Sequence, residues 1–194
     1  MSGPYAELAA RVLARPPRLG PVRLVTVDGP AGAGKTTFAD RLVAALGDAA
    51  TVVHMDDLYA GWHDIEGCWP RVEEWLLAPL RAGRPARVRH YDWHEGRFVE
   101  QEHEVPPRPV LVLEGVGSGR RAVAAETTLA VWVDAPPDLR LARGVERDGE
   151  ELRGEWLRWQ AEEAAHFARE GTRGRAELVV DGTRTFTAAE LPGG

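Results

Sequence analysis

The sequence predicts an α/β domain of three layers, α/β/α, with a mainly parallel five-stranded sheet and a small hairpin projecting from it. Three observations lead there. Five short apolar runs alternate with segments able to form helices, which is the pattern of a parallel sheet covered on both faces. The first run passes directly into a glycine-rich turn and then a helix. Residues 86–104 alternate polar and apolar side chains around a turn, as a hairpin does. At 194 residues, residues 1–194 suit one domain able to bury its core without disulfides or structural metal.

Residues 1–20, MSGPYAELAARVLARPPRLG, read as a helix over 4–14 and a proline-rich connector, without the apolar core of a signal peptide. The run VRLVTV at 22–27 is the first strand. It feeds into Gly29-x-x-x-x-Gly34-Lys35-Thr36 and then into an amphipathic helix over 35–46. That order of strand, glycine loop and helix is a P-loop. Glycines at 29, 32 and 34 let the backbone turn its N–H groups inward on a β-phosphate, where a side chain would block the approach. Lys35 brings a mobile charge to the β- and γ-phosphates, Thr36 offers a hydroxyl to Mg²⁺, and the helix dipole points at the same anion. The nucleotide-binding set is Gly29, Ala31, Gly32, Ala33, Gly34, Lys35, Thr36 and Thr37.

The second strand, TVVHM at 51–55, leads to Asp56, Asp57 and Tyr59. Phosphoryl transfer to a hydroxyl needs a group to orient the nucleophile and take its proton; Asp56 is the candidate base, while Asp57 suits the cap of the following helix. After a helix over 70–82 comes the hairpin, placed near the nucleotide end. Its Tyr91, Asp92, Trp93, His94 and Arg97, with Trp62 and Trp69 near by, offer stacking faces and polar tips for a planar or sugar-like ligand. The third strand, VLVL at 110–113, ends in Glu114, where a carboxylate can hold Mg²⁺ directly or through water. A helix over 118–125 and the strand LAVWV at 129–133 follow. In the next helix, 137–147, Arg140, Arg143 and Arg147 fall on one face and could close as a lid that neutralises the transferring phosphoryl. A helix over 150–169, with Leu152, Trp156, Trp159, Glu163 and Phe167 near one face, turns both tryptophans to the core; together 137–170 forms the lid and its following helix. The run LVV at 178–180 completes the sheet. Ligands of open α/β sheets gather beyond the carboxyl ends of the strands, so the loops after 27, 55, 113 and 133 should meet in one cleft.

Composition narrows the partners. A net charge of −6 argues against a general nucleic-acid surface, and no apolar stretch approaches the roughly 20 residues of a membrane span. The expectation is a cytoplasmic protein with a small-molecule partner, no nucleic acid and no membrane. A homo-oligomer stays open, since the hairpin can close over substrate or pack on a second copy. Cys68, the only cysteine, lacks partners at metal-ligand spacing and reads as a buried or idle thiol.

These motifs, in this order over about 22–182, resemble the uridine kinase-like branch of P-loop kinases, with pantothenate kinase and phosphoribulokinase as more distant relatives. The resemblance implies the P-loop NTPase fold, with ATP and Mg²⁺ as cofactors. It matches Asp56-Asp57-Leu58-Tyr59 to the family's Asp-x-Phe-Tyr segment and so selects Asp56 as base. Tyr91-Asp92-Trp93 with His94 and Arg97 is similar to the nucleoside-contacting hairpin, and Glu114-Gly115 to the family's Glu-Gly. Asp134 to Asp148 is similar to its lid, with Gly144 in place of one arginine. Where the family carries a His-Pro-x-x-Phe-Asp stretch for the ribose, this chain has Trp69-Pro70-Arg71-Val72-Glu73-Glu74. Arg71 would suit an anionic acceptor, unless Glu73 or Glu74 takes the ribose role. The expected function is an ATP-dependent kinase with a hydroxyl acceptor, first a nucleoside such as uridine or cytidine. A nucleoside monophosphate, sugar acid or pantothenate-like alcohol is the alternative acceptor, and an NTP-binding regulator the alternative class.

Overall fold

Five apolar runs pair side by side because only a strand buried on both faces places successive residues such as Val110 to Leu113 out of water. The computed structural model describes residues 3–191. In chain order it holds α1 (Pro4–Ala14), β1 (Arg23–Asp28), α2 (Lys35–Leu46) and β2 (Ala50–His54). A helical run follows, made of α3 (Trp69–Arg71), a π-helical segment (Val72–Leu77) and α4 (Ala78–Arg81). Next come β3 (Ala86–Val88), β4 (Tyr91–Asp92), β5 (Arg97–Phe98), β6 (His103–Val105), β7 (Val110–Glu114) and β8 (Thr127–Asp134). The chain closes with α5 (Pro137–Asp148), α6 (Arg153–Glu170), α7 (Thr172–Arg175) and β9 (Leu178–Asp181).

The main sheet has the order β2-β7-β1-β8-β9, with every pair parallel. One face, carrying Val25, Val27, Val112 and Val131, packs on Leu8 and Val12 of α1 and on Phe38 and Leu42 of α2. The other, carrying Leu24, Leu111 and Leu113, packs on Leu76 and Leu80 of the interrupted helix and on Trp156 and Trp159 of α6. The two tryptophans thus join the core, as their helical spacing predicts. Cys68 is fully buried in that same cluster; its Sγ faces the Ile65 carbonyl at 3.4 Å, and burial pushes the thiol up to about 12.

The segment 86–104 forms two short antiparallel ladders, β3 with β6 and β4 with β5. The turn is built by Asp92, whose Oδ1 accepts the N–H groups of His94 and Glu95, both at 2.9 Å, with Gly96 at φ 64°. One predicted helix is absent: over 118–125 there is only a single 3₁₀ turn, Arg121–Val123. Gly117 at φ 77° and the extended Arg120, at φ −62° and ψ 163°, leave the helical region, and the Asp28 carboxylate holds this path by accepting the N–H groups of Gly117 and Gly119 at 2.9 Å each. Met55 likewise leaves the second strand to begin a 3₁₀ turn, Met55–Asp57, which swings Asp56 out over the sheet's edge. The predicted helix over 150–169 starts at Arg153, after a 3₁₀ turn at Glu150–Leu152 that follows Gly149 at φ 105°. No helix of the described residues is long and apolar enough to cross a membrane.

Candidate active site

The loops beyond the carboxyl ends of β1, β2, β7 and β9 open into one cleft of about 1190 Å³. Its centre is the P-loop. Gly29, Gly32 and Gly34 take φ of 139°, 77° and 98°, a region closed to other residues without strain. Space adds a second constraint at Gly29, where a Cβ would stand 2.1 Å from the Val133 carbonyl oxygen. Lys35 is buried at the start of α2 and donates to the Pro30 carbonyl at 3.0 Å; it lines the cleft with Ala31, Gly32, Gly34, Thr36 and Thr37. Ala33 is wholly buried beneath, against Gly182 of the loop after β9.

The loop is braced from below by two buried carboxylates. Asp28 accepts three backbone N–H groups, from Gly29 at 2.7 Å and from Gly117 and Gly119. Burial pushes its carboxyl upward, while those donors and Lys35 favour the charged form. Glu163 of α6 accepts the Ala31 N–H at 2.8 Å and Arg140 Nη1 at 2.6 Å. Arg140 is therefore buried beside the P-loop, its Nε on the Ala135 carbonyl at 3.0 Å, and does not line the cleft with the other two arginines. This corrects the reading of the three arginines as one lid surface. Arg143 does reach the cleft, donating to Gly32 O at 2.9 Å, and Arg147 lines it with its guanidinium on Asp148 at 2.7 Å and 5.6 Å from the Trp156 ring centre.

Asp56 and Glu114 face the same space. Asp56 is exposed to the cleft but surrounded by protein; that crowding lifts its carboxyl above the usual range, Glu114 adds to the rise, and Lys35 and Arg147 oppose it. Water in the open cleft limits the rise below that of a sealed pocket. Glu114 is buried, and its Oε2 meets His54 Nδ1 at 2.7 Å, a pairing that raises the histidine's pKa. The register explains it, since His54 and Glu114 are direct partners across β2 and β7. His54 escaped the sequence reading because its role appears only once strand order is known. Asp57 faces His90 at 3.2 Å and also lines the cleft.

Opposite the P-loop the walls are aromatic. Trp62 meets Trp93, Trp156 and Trp159 edge to face at 5.6, 5.6 and 6.0 Å. Trp93 also donates its Nε1–H to Asp56 O at 3.2 Å, fixing the hairpin tip over the loop that carries Asp56. Tyr59 is buried, its hydroxyl donating to Val116 O, and His94 is exposed at the rim. Tyr91 and Arg97 do not line the cleft: Tyr91 packs on Trp93 and Phe98 at 5.4 and 5.2 Å, and Arg97 is exposed on β5. Arg71 is also elsewhere. Its guanidinium pairs with Asp64, donates from Nε to Leu58 O at 3.2 Å and lies 5.1 Å from the Phe98 ring centre, so it stiffens the wall from behind. Glu73 is taken by Arg81 at 2.6 Å, and neither it nor Glu74 lines the cleft.

The far end was missed in the sequence. Gly182, Arg184 and Phe186 follow β9 and line the cleft with Tyr5. A Cβ on Gly182 would stand 1.8 Å from Ala33 O, so only glycine lets this loop lie on the P-loop. Asp181 holds the loop's turn, accepting Thr183 Oγ1 at 2.6 Å and Arg184 Nε at 2.7 Å, and these donors pull its carboxyl down to about 2. Tyr5, Phe38 and Phe186 meet tilted or edge to face at ring separations of 5.1–5.4 Å, with Phe38 and Phe186 buried in the core under this end of the cleft.

Among the described residues no group of three or more His, Cys, Asp or Glu side chains is placed to hold a metal by itself. Mg²⁺ does not require one, since it is usually held by one or two protein oxygens together with phosphates and water. Thr36 and Glu114 on one cleft, with His54 oriented on Glu114, fit that requirement.

Comparison with known proteins gives the family and the fold. The sequence model of the phosphoribulokinase/uridine kinase family matches residues 69–159. A uridine kinase of Deinococcus deserti is 30% identical over 144 residues, 66% of this chain and 69% of that protein. A uridine kinase of Halobacterium salinarum is 29% identical over 152 residues, 67% of this chain and 66% of that protein. The chain thus spans about two thirds of the length of these relatives, and 20–30% of longer plant proteins that it also matches. In fold it is similar to the structure of a possible uridine kinase from Bacillus stearothermophilus, with a TM-score of 0.67 at 20% identity, over 92% of this chain and 97% of that one. The three-layer architecture, the P-loop in its sheet and the sequence relationship together make this chain a member of the phosphoribulokinase/uridine kinase family.

Proposed function

We propose that the chain is an ATP- and Mg²⁺-dependent kinase that transfers the γ-phosphoryl group to a hydroxyl of a neutral nucleoside, uridine or cytidine being the first candidates. The observation that carries this reading is the shared cleft, in which the P-loop, Glu114 and Asp56 meet the aromatic wall of Trp62, Trp93, Trp156 and Trp159. The names of the two bacterial and archaeal relatives support the nucleoside.

The backbone N–H groups of the P-loop and Lys35 would hold the phosphates, and the end of the cleft at Tyr5 and Arg184 would receive the base. Thr36 and Glu114 would hold Mg²⁺, which supplies neutralisation of the β- and γ-oxygens. Asp56 would accept the proton of the acceptor hydroxyl as its oxygen bonds to the γ-phosphorus and the bond to the departing ADP oxygen breaks. Arg143 and Arg147 would face the charge that spreads over the transferring group.

A neutral acceptor fits better than an anionic one. The acceptor side carries the carboxylates of Asp56, Asp57 and Glu114, and Arg71, the cation that would have met an anionic acceptor, is withdrawn behind the wall. Turnover of ATP over a panel of nucleosides, nucleoside monophosphates, sugar acids and pantothenate, with products identified by mass, tests the reading. A phosphorylated nucleoside is expected; turnover only with anionic acceptors would overturn the acceptor class, and nucleotide binding without acceptor-dependent turnover would overturn the kinase.

A further inference from the structure

The first half of the P-loop is held from outside. Hydrogen bonding within α2 begins with Phe38 N on Gly34 O at 3.2 Å, which leaves Pro30, Ala31 and Gly32 beyond the helix's own ladder. Glu163 reaches this stretch from α6. It is 1% exposed, accepts the Ala31 N–H at 2.8 Å through Oε2, and is paired through Oε1 with Arg140 Nη1 at 2.6 Å. Arg140, 8% exposed, belongs to α5 and backs directly onto the loop, where a Cβ on Gly32 would stand 2.7 Å from the Arg140 carbonyl oxygen. A carboxylate beside a polyphosphate site opposes anion binding unless its charge is matched, and Arg140 matches it.

We infer that Glu163 is a positioning residue for the nucleotide: neutralised by Arg140, it fixes the Ala31 end of the P-loop and so sets the affinity for ATP. The inference rests on the reading of the cleft as a nucleotide site. Helical spacing extends its reach. Trp159 and Trp156 precede Glu163 by four and seven residues on the same face of α6, so one rigid helix fixes both the acceptor wall and the phosphate loop. Arg140 serves this arrangement through Glu163 and not as a phosphoryl contact.

The test uses the full chain and three variants: Glu163→Gln, Glu163→Ala, and Arg140→Met combined with Glu163→Leu. Three quantities are read: binding of a fluorescent ADP analogue with Mg²⁺, the melting temperature, and the split of KM for ATP against kcat. Gln keeps an acceptor for Ala31 and should stay within about threefold of the parent affinity. Ala should bind about tenfold or more weakly, as expected for a lost hydrogen bond to a charged group. The double variant replaces the buried pair with apolar volume, which is often neutral or stabilising. It should therefore melt at or near the parent temperature, yet bind about tenfold more weakly and show a raised KM for ATP with kcat much less changed. Parent-like binding by the folded double variant would overturn the inference and leave the pair as a stability element. Failure of the parent chain to bind the analogue would instead overturn the nucleotide reading of the cleft.

Discussion

Gly144 lies flat beneath the indole of Trp156, with so little room that a Cβ on the glycine would stand 2.5 Å from Cε2 of the ring. The kinase lid pattern that this stretch resembles has an arginine where Gly144 stands, and the structure gives the reason for the change: the indole takes the space. Trp156 is then fixed by its Nε1–H on Asp148 Oδ2 at 3.1 Å, which joins α5 to α6 across a short 3₁₀ corner. Gly144→Ala should overpack this contact at a cost of about 1–3 kcal/mol. Calorimetry should show a melting temperature lower by several degrees, together with a raised KM for the acceptor as the indole is displaced.

Asp56→Asn should leave nucleotide binding intact and lower turnover by roughly 10²–10⁴, the usual share of a general base. The pH profile gives an independent check. The base works only when charged, and crowding and Glu114 raise its pKa, so kcat/KM should fall with decreasing pH through a midpoint above the ordinary carboxylate value of about 4 and stay level above it. In the asparagine variant that acidic limb should vanish. Unchanged turnover would remove Asp56 from the role.

If Glu114 holds Mg²⁺ as proposed, His54, which contacts it at 2.7 Å, would act on the metal through it. Partners of this kind commonly alter metal affinity by about 10–100-fold. His54→Ala should raise the Mg²⁺ concentration needed for half-maximal rate by at least the lower figure, with the ATP-analogue affinity measured in the absence of metal unchanged. Titration of Mn²⁺ followed by electron paramagnetic resonance would read the same loss directly.

Arg71→Met should weaken the fold without changing what the site selects. Its loss strips Asp64 of a partner and frees the Leu58 carbonyl, an expected cost of about 1–3 kcal/mol, visible as a lower midpoint in urea. The ratio of turnover with neutral and anionic acceptors should not move. A selective loss of anionic acceptors would return Arg71 to the acceptor site.

The sheet was legible because its strands are apolar runs rich in Val and Leu, the central ones buried on both faces, and the P-loop because its glycines are demanded by backbone conformation at fixed spacing. Asp56 and Glu114 could be read for a related reason: each follows a strand whose end faces the cleft. What escaped depended on contacts distant in the chain. The helix expected over 118–125 gave way to a loop with Gly117 at φ 77° and Arg120 extended, held in place by Asp28, 89 and 91 residues from the N–H groups of Gly117 and Gly119 that it accepts. The arginines at 140, 143 and 147 share a helical face by spacing, but only the packing of α5 on Gly32 decides that Arg140 is buried. Arg71 looked available because neither Asp64 nor Phe98 reveals from sequence that it claims the guanidinium.

Cys68, sealed in the core and with its thiol held up to about 12, gives the molecule an internal clock. A disulfide reagent added at neutral pH would find no reactive sulfur in the closed state, and each labelling event would record one opening of the layer beneath α6 and the interrupted helix. Because that layer also carries the tryptophan wall, saturating acceptor should slow the clock, so a single reagent would report ligand occupancy with no engineered probe.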